Sequence, residues 1–276
     1  MRSCYDRVFA RALALVLTLS PRLTAQVDTI DRPKALFTYR DGILAAGFAV
    51  GTIGIRPLDS RAAQSLQRET SQKNRLLQKT AVGFNTIAAP GSVVIGVSMY
   101  AAGRLAKNAR LADLGLHGTE ALFIGEGTAW VLKGIFGRAR PYVDTKNPDD
   151  YQLLRGFRED ARYKSFPSGH TVAGFAAAAA VTAETSRWWP NSVWYIAPAM
   201  YGGAALVGLA RMYNNRHWAS DVIMGAAIGT FAGTKVVRYH HTHAGNRIDR
   251  WLLTANVKTS SLGPGRVSVS IVPMLQ

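Results

Sequence analysis

The sequence predicts an all-α fold: a helical bundle of about six core helices, followed by a short extended C-terminal tail. Three observations lead there. Six apolar segments (42–55, 87–105, 111–136, 171–183, 192–210 and 221–237) recur along the 276 residues, each longer than an ordinary strand. Glycine, with 26 copies, and long alanine runs suit close helix–helix packing. Period-two alternation appears only near the end, at Val267, Val269 and Ile271, after the turn-like Gly263-Pro264-Gly265.

The elements follow in chain order. Residues 1–25 resemble an export signal, with Arg2, Arg7 and Arg11 before an apolar run from Ala12 to Ser20 and a small-residue exit at Leu23-Thr24-Ala25. The first apolar segment, 42–55, is followed by a polar stretch, Arg56–Thr80. Pro57 and Asp59 open that stretch as helix-start residues, and Leu58, Ala62, Leu66, Leu76 and Leu77 could form a narrow apolar stripe. It reads as one amphipathic helix across the bundle or at a membrane surface, or equally as a solvated surface helix. Residues 137–169 form a long polar loop, and 170 onward returns to apolar segments. The economical division is a signal (1–25), one domain (26–255) and an extended tail (256–276) with no assigned function.

Composition excludes several classes. Hydrophobic residues make up 48% and charged residues 18%, too apolar for a disordered chain. The formal charge of +16 favours an anionic partner. The basic residues are scattered between apolar segments without a nucleic-acid-binding pattern, so nucleic acid is not expected and an anionic membrane surface or phosphorylated substrate is. Cys4 is the single cysteine, so no internal disulfide and no cysteine metal site can form.

Three short segments carry chemistry. The first runs from Lys133 to Arg140-Pro141, the second is Pro167-Ser168-Gly169-His170, and the third holds Arg211, His217 and Asp221. Lys133, Arg140 and Arg211 are cations suited to the oxygens of a phosphoryl group, Arg as a fork and Lys as a point charge. Ser168 and Gly169 precede an Ala-rich helix, whose first N–H groups lack internal partners and can face an anion. His217 and Asp221 stand one helical turn apart, so the carboxylate can hold one imidazole nitrogen and leave the other bare. Arg138 could assist capture of the anion. His240, His241 and His243 look like a metal cluster but have no fourth ligand nearby in sequence. Asp144, Asp149 and Asp150 share their loop with Lys146 and Arg155 and read as a solvated loop. No metal, cofactor or nucleotide loop is expected.

These segments resemble the signature of the type 2 phosphatidic acid phosphatase (PAP2) family, which shares its core with bacterial non-specific acid phosphatases and vanadium haloperoxidases. The family pattern is K-x6-RP, PSGH and SR-x5-H-x3-D; here Ala210 replaces the usual Ser. The resemblance implies a metal-independent phosphatase acting on phosphate monoesters or lipid (pyro)phosphates. It implies that His217 is the nucleophile forming a phosphohistidine, that Asp221 orients it, and that His170 is the general acid and later base. Phosphate binding falls to Lys133, Arg140, Ser168, Gly169 and Arg211. The rival readings are a vanadate-dependent haloperoxidase and a catalytically silent membrane-surface binding protein. The oligomeric state stays open.

The expected location is the cell envelope, with the site facing the periplasm or exterior. Trp188, Trp189 and Trp194 near segment ends favour membrane spans. Segments 42–55 and 171–183 are short of the ~20 apolar residues that a bilayer needs. Six spans after a signal would also turn the 137–169 loop toward the cytoplasm. A soluble or peripheral bundle is therefore slightly preferred.

Overall fold

The computed structural model describes residues 35–243, 246–253, 256–263 and 266–272; the expected export signal lies outside them. All six apolar segments are helical. Helix α1 (Tyr39–Ile55) is capped by Thr38, whose N–H reaches Asp41 at 2.6 Å. The chain continues through a 3-10 turn (Arg56–Leu58) into α2 (Asp59–Leu66), α3 (Glu69–Gln72) and α4 (Arg75–Thr86). A π-helical turn (Ile87–Gly91) joins α4 to α5 (Ser92–Leu105). Then come α6 (Ala109–Phe136), the short α7 (Arg155–Arg158) and α8 (Gly169–Trp188). Helices α9 (Val193–Tyr213), α10 (Ala219–Thr242) and α11 (Arg247–Leu252) complete the helical part. The tail forms an antiparallel hairpin of β1 (Asn256–Gly263) and β2 (Arg266–Val272), pairing Val257 with Ile271 and Thr259 with Val269.

The polar stretch 56–80 is not the single helix its composition predicts. It breaks at Gln67 and Arg68, where the backbone leaves the helical region and turns extended at Arg68. The cause is tertiary: Gln67 and Gln72 both donate side-chain N–H bonds to the Tyr213 carbonyl, at 2.9 and 3.2 Å. These bonds satisfy an end of α9 and hold the stretch around it as a strap.

Helix α8 is the axis of the bundle. Its alanines Ala173, Ala176 and Ala180 are buried with Ala121 and Leu122 of α6 and Ala232, Val236 and Val237 of α10. On another side, Phe175 and Ala178 meet Ala204 of α9 and Ala226 of α10. The approach of α8 and α10 is backbone-close: a Cβ on Gly229 would stand 2.3 Å from the Val172 carbonyl oxygen, and one on Gly233 2.5 Å from that of Ala176. Gly225, Gly229 and Gly233 recur every four residues and so line one face of α10.

The outside is apolar to an unusual degree. Ile43, Val50 and Ile53 on α1, Val94, Ile95 and Val97 on α5, Phe123 and Trp130 on α6, and Trp194 and Tyr195 on α9 are all exposed. Among the described residues, two helical stretches, Tyr39–Leu66 and Pro190–Tyr213, are long and apolar enough to cross a membrane by length and composition, and only 6% of the first one's apolar window is buried. The slight preference for a soluble or peripheral bundle is not supported. So wide an apolar exterior would be costly in water.

Candidate active site

Four helix ends meet at one end of the bundle. Lys133 lies in the last turn of α6, Ser168 and Gly169 at the start of α8, Arg211 in the last turn of α9, and Asp221 in the first turn of α10. His217 occupies the tight connection between α9 and α10. Arg140 enters from the 137–168 loop, its N–H bonded to the Arg162 carbonyl at 2.8 Å. The structure therefore gathers the residues of all three segments. Lys133 donates to the Pro167 carbonyl, and Ser168 N–H donates to the Asp221 carbonyl at 3.0 Å.

Local sequence explains the positioning. Helix α6 must stop just after Lys133, and Gly137 stops it in the left-handed region at φ 49°, its N–H returning to the Lys133 carbonyl. A Cβ on Gly137 would lie 2.4 Å from the Gln152 carbonyl oxygen, so the stop and the loop's return are one feature. The loop is not merely solvated. Arg155 is buried, donating through Nε and Nη2 to the Gly137 carbonyl at 2.9 and 2.6 Å and pairing with Asp150 at 2.9 Å. Asp149 pairs with Arg56, and Asp144 accepts the Lys146 N–H. These carboxylates serve the loop's own architecture.

Asp221 is the best-held group. Its Oδ1 accepts from Arg138 Nη1 at 2.5 Å, and its Oδ2 from Ser165 Oγ at 2.5 Å and Trp218 N–H at 2.9 Å. His217 Nδ1 stands 3.4 Å from Oδ2, a charge contact just short of hydrogen-bond geometry. Burial alone would raise the Asp221 carboxyl. The Arg138 charge first, then His217 and Ser165, outweigh it and hold the group below the ordinary carboxylate range.

Arg138 does not face the anion site. It is fully buried behind Asp221, between the rings of Tyr151 (4.8 Å) and Trp218 (5.3 Å). Its Nη2 pairs with Asp59 at 2.7 Å, and Asp59 in turn accepts from the Ser220 N–H and hydroxyl. Sequence spacing held no sign of Asp59, Ser165 or Ser220, because the contacts span 56 to 161 positions. Ser168 also differs from expectation: its N–H is engaged by the Asp221 carbonyl, and its hydroxyl accepts from Thr171 at 2.8 Å, so only the hydroxyl proton remains to face an anion. Ala210 is buried against Ala81 and Tyr213, where a serine hydroxyl would meet apolar neighbours.

Electrostatically the site is a crowd of cations. Burial first, then Lys133 and Arg140, pushes His217 down to about 3, against the pull of Asp221. Burial, Arg211, Lys133 and Arg140 push His170 down to about 4. Arg140 is lowered by burial and by Arg216. The Nε atoms of Arg140 and Arg211 are buried with no partner among the described residues, although Arg211 Nη1 reaches Asn85 at 3.0 Å. Beside Arg211 opens a cavity of about 410 Å³, lined by Gln67, Gln72, Asn85 and Arg216 among others. Crowded, desolvated cations of this kind favour a multiply charged anion between them.

Residues 116–244 match the model of the PAP2 superfamily. A relative from Porphyromonas gingivalis, named lipid A 1-phosphatase, is 46% identical over 87 residues, 32% of this chain and 19% of that protein. The matched part thus spans about a fifth of that relative's length. The crystal structure of a transmembrane PAP2 type phosphatidylglycerolphosphate phosphatase from Bacillus subtilis shares the fold, with a TM-score of 0.53 at 19% identity over 76% of this chain and 100% of that one. Aquifex aeolicus LpxE aligns over 66% of this chain and 96% of its own, at 20% identity and a TM-score of 0.47.

Proposed function

We propose that this chain, whose residues 116–244 match the PAP2 superfamily model, is a metal-independent phosphatase that hydrolyses lipid phosphates or related monoesters through a phosphohistidine. The observation that carries this is the cation crowd: Lys133, Arg140 and Arg211 converge on two neutral histidines, and two buried guanidinium Nε atoms lack an acceptor among the described residues. A phosphate ester supplies the missing negative charge, and more charge develops on its oxygens as the ester bond breaks.

The geometry supports these steps. With Nδ1 directed to Asp221, His217 offers Nε2 as the nucleophile. Nε2 attacks phosphorus, the P–O bond breaks, and its electron pair leaves with the alcohol oxygen. His170, whose pKa the bound phosphate's negative charge raises, gives that oxygen a proton. His170 then takes a proton from water; the hydroxide attacks phosphorus, the P–N bond breaks, and free His217 and inorganic phosphate result.

A lipid substrate is favoured over a soluble one by the surroundings. Trp130, one turn before Lys133, and Leu153, Leu154 and Phe157 in the adjoining loop are exposed apolar residues at the site's end of the molecule. The name of the Porphyromonas gingivalis relative points the same way. The apolar exterior then lies in an envelope membrane.

The test is phosphate release from p-nitrophenyl phosphate and from a lipid phosphate, in EDTA, by the wild type, His217→Ala and His170→Ala. Wild type should act on both, and His217→Ala should act on neither. His170→Ala should lose far more activity on the lipid ester than on p-nitrophenyl phosphate, whose leaving group needs no proton. Equal loss on both esters would refute the acid's role, and an active His217→Ala would refute the nucleophile's.

A further inference from the structure

At the opposite end of the bundle from the anion site lies a second polar cluster. Glu184 stands fifteen residues after Gly169 on α8, about 22 Å along the helix at 1.5 Å per residue. Around it gather His117 of α6, His240 and His241 of α10 and Asp249 of α11. The sequence offered His240 and His241 without companions; the fold supplies the companions from three other helices. His243 is turned away, stacked on Tyr239.

The arrangement is that of ligands with supporting carboxylates. His117 is 1% exposed, and its Nδ1 is bonded to Glu184 Oε1 at 2.5 Å. Ionised Glu184 can only accept, so in the neutral imidazole this bond places the proton on Nδ1 and leaves the lone pair on Nε2. Nε2 is buried, has no hydrogen-bond partner among the described residues, and points toward Asp249 Oδ1, 3.8 Å away. His240 mirrors this: its Nε2 is bonded to Glu120 at 2.6 Å, and its Nδ1 meets the same Asp249 Oδ1 at 2.6 Å. The ligand atoms of His117, His240 and Asp249 all lie within 4.8 Å of one another. Asp249 is itself positioned by Asn246, which donates to Oδ2 at 2.6 Å. A histidine whose far nitrogen rests on a carboxylate is the usual support of a metal-bound imidazole.

We propose that His117 Nε2, His240 Nδ1 and Asp249 Oδ1 bind one divalent ion of the zinc class, with Glu184 and Glu120 orienting the two imidazoles. Two imidazoles and a carboxylate are borderline donors suited to such an ion, and they leave a fourth position open. On binding, the ion replaces the proton held between His240 Nδ1 and Asp249, so one proton is released per ion. The ion would tie α11 to α6 and α10, and its role is structural because it lies a bundle's length from the reacting phosphate.

The test is calorimetric titration of ZnCl2 into the full chain, stripped with chelator and held in mild detergent, with cobalt(II) absorption as a second probe. One equivalent should bind, with proton release and a rise in the thermal midpoint. Asp249→Asn, which keeps the residue's shape, and His117→Gln should each weaken binding more than tenfold, and Glu184→Gln about tenfold as an orienting carboxylate. His217→Ala should bind zinc as the wild type does. Absence of saturable binding, or affinity unchanged in both Asp249→Asn and His117→Gln, overturns the proposal. Loss of binding in His217→Ala, with retention in Asp249→Asn, would move the ion to the catalytic end and overturn it as well.

Discussion

Asp221 takes contacts from Arg138, Ser165, the Trp218 N–H and His217, and each restricts where its carboxylate can point. A nucleophilic imidazole needs one tautomer and one orientation, and a carboxylate that cannot rotate supplies both. Arg138 matters most, because it balances two fully buried carboxylates, Asp59 and Asp221. Replacing it with Met should cost about 3–5 kcal/mol, the range for stranding a partner of a buried ion pair. Activity should fall further than stability, as His217 loses its fixed neighbour. Denaturant unfolding and initial rates on Arg138→Met check both; a stability loss under about 1 kcal/mol, the size of an exposed pair, would mean that these groups are not ionised together in the folded protein.

Among the elements, what could be read in advance and what could not separate cleanly. Six helices were legible because each carries its own apolar run, and Ser168 and Gly169 mark where α8 starts. The broken strap at 56–80 was not, since Gln67 and Gln72 choose their conformation by reaching Tyr213, more than 140 positions away. The three signature segments were legible for the same local reason, and the Asp59–Arg138–Asp221 chain and the histidine cluster were hidden for the same distant one. The glycine face of α10 makes a sharp comparison. Gly229→Val would force a side chain against the Val172 carbonyl and should cost about 1–3 kcal/mol through displacement of α8. Gly202→Ala on α9, where a Cβ meets nothing within 4 Å, should instead be neutral or stabilise by up to about 1 kcal/mol. Thermal unfolding of the two variants side by side decides it.

For the whole molecule, acid is the revealing variable. The folded state keeps His217 and His170 neutral, with pKa values near 3 and 4 against an ordinary 6.5. Below about pH 6.5 the unfolded chain takes up protons that the folded chain refuses, so stability should fall as pH drops from 6.5 toward 4. Thermal midpoints across that range test this, and a His170→Gln/His217→Gln double variant should show a shallower fall. The exterior adds a dimension: α9, with 21 residues, is about 31 Å long at 1.5 Å per residue, close to a bilayer's apolar thickness. Trp194 and Trp189 sit at one end and Trp130 and Phe157 at the other, the two levels where aromatic belts form. Asp59, finally, lies far upstream of the span 116–244 that matches the family model. An excised segment 116–244 would therefore carry every proposed reacting group yet strand Arg138 with half its countercharge. The working unit of the proposed catalyst is larger than the matched span, and its boundary falls before residue 59.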